Sequence, residues 1–244
     1  MSSAPPGSLN APKQRDYFSV PARKYARMSP VSSPYVARHL DATLDALGLR
    51  PGARLLELGA GMGRFSLLLA DRGFEVVATD LSPDLLAELR RFDPQGKVTA
   101  LEADAMLIDQ AGLGSFDAVL GFFFLHHLAN LDGVFAAAAK VLRPGGVVAF
   151  CEPSGLFAPF YLQILLTPGM SLEGERGMTS MRPGPLEAAA RAAGLEVLPT
   201  RRYGLFPPAL ANRALGRGFE ALCEKLSPAW APLRAFQVFA ARRA

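Results

Sequence analysis

Arg54-Leu55-Leu56-Glu57-Leu58-Gly59-Ala60-Gly61-Met62-Gly63 decides the fold. A short apolar strand ends at Leu58, three glycines follow within five positions, and residues 64–72 carry a helical pattern stopped by Gly73. Glycines let the chain turn sharply and let another group approach the backbone closely, while the helix behind them offers unpaired N–H groups. Outward from this unit the rhythm repeats. Residues 75–79 form a second strand, Pro83 opens a helix to about Arg91, residues 98–102 form a third strand and residues 116–121 a fourth. An Ala-rich helix over 131–142, a turn at Arg143-Pro144-Gly145-Gly146 and a fifth strand over 147–151 complete it. Strands that are apolar throughout and alternate with helices predict a doubly wound α/β architecture, Rossmann-like, with both faces of a parallel sheet covered.

Upstream, Ser33 and Pro34 read as the N-cap and first position of a helix to Leu47, closed by Gly48. Residues 1–33 are then a tail and cap segment, and residues 34–244 one domain. Past strand five the rhythm breaks. Residues 153–183 and 201–233 read as helical lid insertions, the second with a helix near 210–226. A helix over 185–193, a strand over 195–199 and a last strand over 235–241 surround them.

Half of the 244 residues are apolar and 20% are charged, enough for a sizeable core and too apolar for a disordered chain. Two cysteines, Cys151 and Cys223, exclude a disulfide scaffold, no Cys/His pair has zinc-finger spacing, and no metal is expected. The net charge of +4 is mild and forms no long basic run, so no nucleic-acid partner is expected. The first residues lack the apolar core of a signal peptide, which makes a cytoplasmic protein the expectation. The uncharged stretch 153–172 is interrupted by Pro153, Gly155, Pro159, Gln163, Pro168 and Gly169, so no membrane span is expected.

The dinucleotide fingerprint needs G-x-G-x-x-G, but here Arg64 follows Gly63, which disfavours a nicotinamide cofactor. Asp80 ends strand two, where a carboxylate can accept from vicinal ribose hydroxyls. Asp104 follows strand three, where it could accept from an exocyclic amine. With Glu57, these acids describe a pocket for a nucleoside carrying positive charge.

Glu57–Gly63, Asp80, Ala103-Asp104-Ala105, Phe116-Asp117-Ala118-Val119-Leu120 and Leu142-Arg143-Pro144-Gly145-Gly146 resemble, in order, the motifs of class I S-adenosylmethionine-dependent methyltransferases. The resemblance covers residues 54–152. It implies a seven-stranded, mostly parallel sheet whose antiparallel last strand inserts beside strand five, and S-adenosyl-L-methionine as cofactor. It also implies roles. Gly59, Ala60, Gly61 and Gly63 form the loop along the cofactor's methionine part, with Glu57 supporting that loop and its amino group. Asp80 grips the ribose and Leu81 packs on adenine. Asp104 accepts from the adenine amine, the Ala105 N–H donates to the ring, and Met106 covers a face. Gly121 or Phe122 presents a carbonyl to the cofactor's ammonium.

Phe122-Phe123-Phe124-Leu125-His126-His127-Leu128 resembles the Leu-His-His-Leu segment of small-molecule members and lacks the Asn/Asp-Pro-Pro-Tyr motif of amino methyltransferases. Imidazole titrates near neutrality and can take a proton from a hydroxyl or thiol. His127 is the first candidate base. His126 could instead cap the next helix or bond backbone, and both histidines could be structural. Glu152, at the end of strand five, is the second candidate base, or else a strand-end acid bonded to turn amides. Tyr17, Phe18, Tyr25, Phe123, Phe157 and Tyr161 are candidate substrate contacts, each also readable as ordinary packing. The apolar lid suggests a small apolar or aromatic acceptor. The alternatives are an RNA methyltransferase or a non-catalytic protein on the same fold. A homo-oligomer is compatible with the apolar lid.

Overall fold

The computed structural model describes residues 29–128, 130–166, 175–205, 208–226 and 233–244. Helix α1 (Pro34–Leu47) starts as its sequence predicts: the Ser33 hydroxyl accepts from the Val36 N–H at 3.2 Å. It ends at Gly48, which takes the left-handed φ of 62° and returns its N–H to Leu44. Then come β1 (Arg54–Leu58), α2 (Arg64–Asp71), β2 (Glu75–Asp80), α3 (Pro83–Phe92), β3 (Val98–Glu102) and β4 (Phe116–Phe122). Helix α4 (Leu131–Val141) leads into β5 (Leu142–Pro153), and α5 (Ala158–Leu166) and α6 (Pro183–Ala192) follow. The chain closes with β6 (Leu195–Val197), β7 (Arg201–Tyr203), α7 (Pro208–Ala211), α8 (Ala214–Leu226) and β8 (Phe236–Arg243).

The sheet order is β3-β2-β1-β4-β5-β8-β6, with β7 also paired to β8. Strands β3, β2, β1, β4 and β5 are parallel neighbours, and β8 runs antiparallel between β5 and β6. Alternate residues of a strand face opposite sides. Leu55, Ala118 and Leu120 accordingly join one buried cluster with α1 and α2, while Leu56 and Val119 join another with α4 and α6. Strand order reverses between β1 and β4, the switch point where open α/β sheets bind ligands beyond their carboxyl ends.

Two details differ from the sequence reading. Arg143–Gly146 is not a free turn but part of β5: Phe116 pairs with Leu142 and Ala118 with Val147, so four residues bulge opposite the single Asp117. Asp117 absorbs the irregularity by accepting from the Arg54 N–H at 2.7 Å and from Arg143 Nη1 at 2.5 Å. The sheet also has eight strands rather than seven. Strand β7, three residues long and mostly charged, lies within the stretch read as a lid insertion and pairs with Phe236–Val238 of β8. Among the described residues, no helix is long and apolar enough to cross a membrane.

Candidate functional site

The glycine loop leaves β1 with Gly59, Gly61 and Gly63 all at positive φ, 67°, 56° and 81°. A Cβ on Gly59 would stand 2.2 Å from the Phe124 ring, so at that position close approach as well as φ demands glycine. Beneath the loop Glu57 is buried, and the Ser66 hydroxyl donates to its Oε2 at 2.5 Å. Burial pushes its carboxyl up to about 8, against the Ser66 bond and with help from the charge of Asp80. A carboxyl held neutral in this way becomes an anion readily when a cation is brought to it. Asp80 ties the loop to the end of β2: its Oδ2 accepts from the Gly61 N–H at 2.8 Å and its Oδ1 from the Ser82 N–H at 2.9 Å. Burial raises its carboxyl, and the Ser82, Gly61 and Leu81 amides partly offset that rise. Three amides leave one of the four carboxylate lone pairs for a ligand hydroxyl. Asp104, after β3, accepts from the Met106 N–H at 2.9 Å.

The facing wall is the turn after β4. Phe122 stacks on Phe65 with ring centroids 3.8 Å apart. Phe123 is the only non-glycine at positive φ among the described residues, at 54°, a costly conformation for an aromatic side chain. It is held there by its N–H to the Cys151 carbonyl at 2.8 Å. Glu152 holds the next residues: its Oε1 accepts from the Phe124 and Leu125 N–H groups, both at 2.7 Å, and its Oε2 meets His126 Nδ1 at 2.7 Å. His126 Nε2 lies 3.4 Å from Glu175 Oε2. Burial alone would lower the His126 imidazole, but Glu152 and Glu175 outweigh it and raise it.

Between these walls lies an open cavity of about 1070 Å³, the solvent space at its mouth included. Of the predicted cofactor residues, Glu57, Gly59, Ala60, Gly61, Asp80, Leu81, Asp104, Ala105 and Phe122 line it, and so do Phe123 and His127. Gly63, Met106 and Gly121 do not. Gly63 packs against Leu89, Met106 against Gly133, and Gly121 against the Leu58 carbonyl and the Phe150 and Phe124 rings. Glu152 is corrected most clearly. It is fully buried, its oxygens are taken by two amides and an imidazole, and it is absent from the cavity wall, so it positions the turn rather than accepting a substrate proton. Phe157 packs on the core, and the Tyr161 hydroxyl donates to the Gly155 carbonyl at 3.0 Å, so neither faces the cavity. Tyr17, Phe18 and Tyr25 lie outside the described residues.

Sequence reasoning missed Arg64, which had served only to exclude a nicotinamide cofactor and which lines the cavity as a half-buried cation. It also missed Glu175 and Gly177. A Cβ on Gly177 would stand 2.1 Å from the His126 carbonyl oxygen, so this glycine is what lets the turn Arg176–Ser180 press against the His126 backbone.

Residues 56–150 match a family model described as a methyltransferase domain. A demethylmenaquinone methyltransferase of Beutenbergia cavernae is 40% identical over 134 residues, which cover 52% of this chain and 55% of that protein. A ubiquinone biosynthesis O-methyltransferase of Xanthomonas oryzae pv. oryzae is 32% identical over 147 residues, 59% and 58% of the two chains. The chain thus spans little more than half the length of these curated relatives. Among solved structures, an S-adenosylmethionine-dependent methyltransferase from Mesorhizobium loti shares the fold with a TM-score of 0.57 and 21% identity, over 84% of this chain and 96% of that one. A methyltransferase from Archaeoglobus fulgidus does so with a TM-score of 0.61 and 16% identity, over 86% and 93%. Residues 56–150 are thus similar to a methyltransferase domain, and the solved methyltransferases share the fold of the chain.

Proposed function

We propose that this chain transfers a methyl group from S-adenosylmethionine to a small apolar or aromatic acceptor of the quinol type. The observation that carries the reading is one cavity whose wall joins the glycine loop and two strand-end acids to an aromatic turn bearing His127. The residues fit the cofactor. Buried Glu57, beneath the glycine loop, gains its charge most easily beside a cation such as an α-ammonium. In this reading Gly59, Ala60 and Gly61 run along the methionine part, with Glu57 toward its ammonium and Arg64 toward its carboxylate. Asp80 accepts from the ribose, Leu81 packs on the base, and Asp104 with the Ala105 N–H reads the adenine edge.

When bound, the cofactor supplies an activated methyl on a sulfonium. The chain's own part is alignment, exclusion of water and handling of a proton. Phe122 and Phe123 give the acceptor side an apolar wall, and His127 stands on the same wall, where its imidazole can take the proton of a phenolic hydroxyl. The quinone names of two relatives agree with such an acceptor.

The test is a transfer assay with methyl-labelled cofactor, offering quinols with free ring positions or hydroxyls beside transfer RNA. Label in the quinol supports the reading, and label in RNA alone, or in nothing, overturns it. With an active quinol in hand, His127→Ala should lower kcat by about 10²–10⁴-fold while S-adenosylhomocysteine affinity stays intact. A change of only a few-fold would show that alignment carries the rate without a base.

A further inference from the structure

Glu152 and Glu175 converge on His126 from its two ring nitrogens, at 2.7 Å from Nδ1 and 3.4 Å from Nε2. The His127 ring lies 4.0 Å from that of His126, centroid to centroid. One donor atom from each of His126, His127 and Glu175 falls within 4.8 Å of the others. We propose that His126, His127 and Glu175 bind a divalent first-row transition-metal cation such as Zn²⁺. Two imidazoles and one carboxylate form the donor set of open, three-ligand metal centres, which keep a further position for water or substrate.

Three features build the site. First, tetrahedral donors about 2.1 Å from one metal stand about 3.4 Å apart, so donor atoms that lie within 4.8 Å of one another need to close by about 1.4 Å at most. Second, the Glu152 carboxylate occupies the Nδ1 side of His126. With Nδ1 engaged there, Nε2 is the ring nitrogen on the Glu175 side, the carboxylate–histidine arrangement that orients metal-binding imidazoles. Third, the Glu175 segment is pinned. The Gly155 N–H donates to the Met181 carbonyl at 2.7 Å, the Met178 N–H donates to the Glu175 carbonyl at 2.9 Å, and Gln237 Nε2 donates to the Met181 carbonyl at 2.7 Å. Gly155 and Gly177 are the residues that permit this: a Cβ on either would stand within 2.3 Å of a backbone oxygen, that of Met178 or His126.

Charge points the same way. Two buried carboxylates flank one imidazole, and a divalent cation would balance both. His127 belongs to the cluster and to the cavity wall, so the cation would sit at that wall. Its use in holding an acceptor oxygen rests on the methyl-transfer reading, but its binding does not.

The test uses the full chain without a histidine tag, stripped with chelator and titrated with Zn²⁺ by calorimetry and with Co²⁺ by visible absorption. One Zn²⁺ per chain, visible Co²⁺ bands and no competition by Mg²⁺ are expected. Glu175→Gln and His127→Ala should each weaken Zn²⁺ by at least tenfold. Glu152→Gln, which keeps all three ligands, should weaken it by about 10–100-fold. Thermal melts check that each variant is folded. No Zn²⁺ uptake, or equal affinity in the wild type, Glu175→Gln and His127→Ala, would overturn the site in favour of a protonated His126 bridging two carboxylates. S-adenosylhomocysteine is titrated in parallel. Intact Zn²⁺ binding without it would defeat the cofactor reading while supporting the cation site.

Discussion

The two halves of the cavity are built on different principles. The half proposed for the cofactor takes its groups from strand ends and the turns that follow them: Glu57 and the glycines after β1, Asp80 after β2, Asp104 after β3. Each sits within a few residues of the pattern that makes its strand, so position in the sheet fixes position in the site. The half proposed for the acceptor is assembled by contacts distant in sequence. Glu152 reaches back 28 residues to the Phe124 N–H, and Glu175 meets His126 from another segment. Behind them, His39 Nδ1 lies 2.7 Å from the Tyr203 hydroxyl, 164 residues away. A ligand shared by a whole family can be held by the local plan, while the acceptor side is left to segments free to vary.

That contrast can be broken by mutation. The largest effect belongs to Gly61, whose φ of 56° disfavours any side chain and whose place on the cavity wall would aim a branched one at the bound ligand. Gly61→Val should abolish S-adenosylhomocysteine binding in calorimetry while circular dichroism shows a folded chain, and normal binding would remove the loop from the site. Next is Glu152, the anchor of the other half. Glu152→Ala strands two buried amides and an imidazole and should cost about 3–5 kcal/mol in denaturant unfolding. An unchanged unfolding midpoint would mean that the turn holds itself.

The smallest effect is one of pH, and it sharpens the comparison. Glu57 is raised from its ordinary value to about 8, so the folded chain holds a proton that the unfolded chain has lost. Its contribution to stability is full below about 4.5 and declines as pH rises through about 8. His39 is the opposite case. Burial lowers it to about 3, with the nearby Arg38 and Arg64 charges adding to the effect, so its contribution is lost as pH falls below 6.5 toward 3. Bound S-adenosylhomocysteine, with its ammonium near Glu57, should flatten the alkaline slope and leave the acidic one. Glu57→Gln should flatten the alkaline slope without ligand. Unfolding free energies measured across pH 5–9 decide it, and an alkaline slope that survives both changes would acquit Glu57.

The sequence made the first half legible because apolar strands, caps and glycines are local signals. Ser33 and Gly48 bounded α1 as expected, and the βα alternation predicted the parallel strands β1 to β5. Asp80 and Asp104 could be placed because a strand end is a fixed point of that order. The rest depends on long-range pairing that no periodicity encodes. Strand β7 exists because β8 extends past β6, and its own Arg201-Arg202-Tyr203 carries no alternation. Glu152 was placed correctly at the end of β5 but given the wrong task. What it bonds depends on where the Phe124–His126 turn folds back. Gly177 looks like any loop glycine until the His126 backbone is seen against it.

The central claim is that the acids at the strand ends hold a nucleoside cofactor, and Asp80 tests it most directly. Calorimetric titration of the wild type and Asp80→Ala with S-adenosylhomocysteine should show one site in the wild type. The variant should bind at least tenfold more weakly, because a charge-assisted hydrogen bond worth about 1.5–3 kcal/mol is lost. Equal affinity in the two proteins, with both folded, would contradict the account.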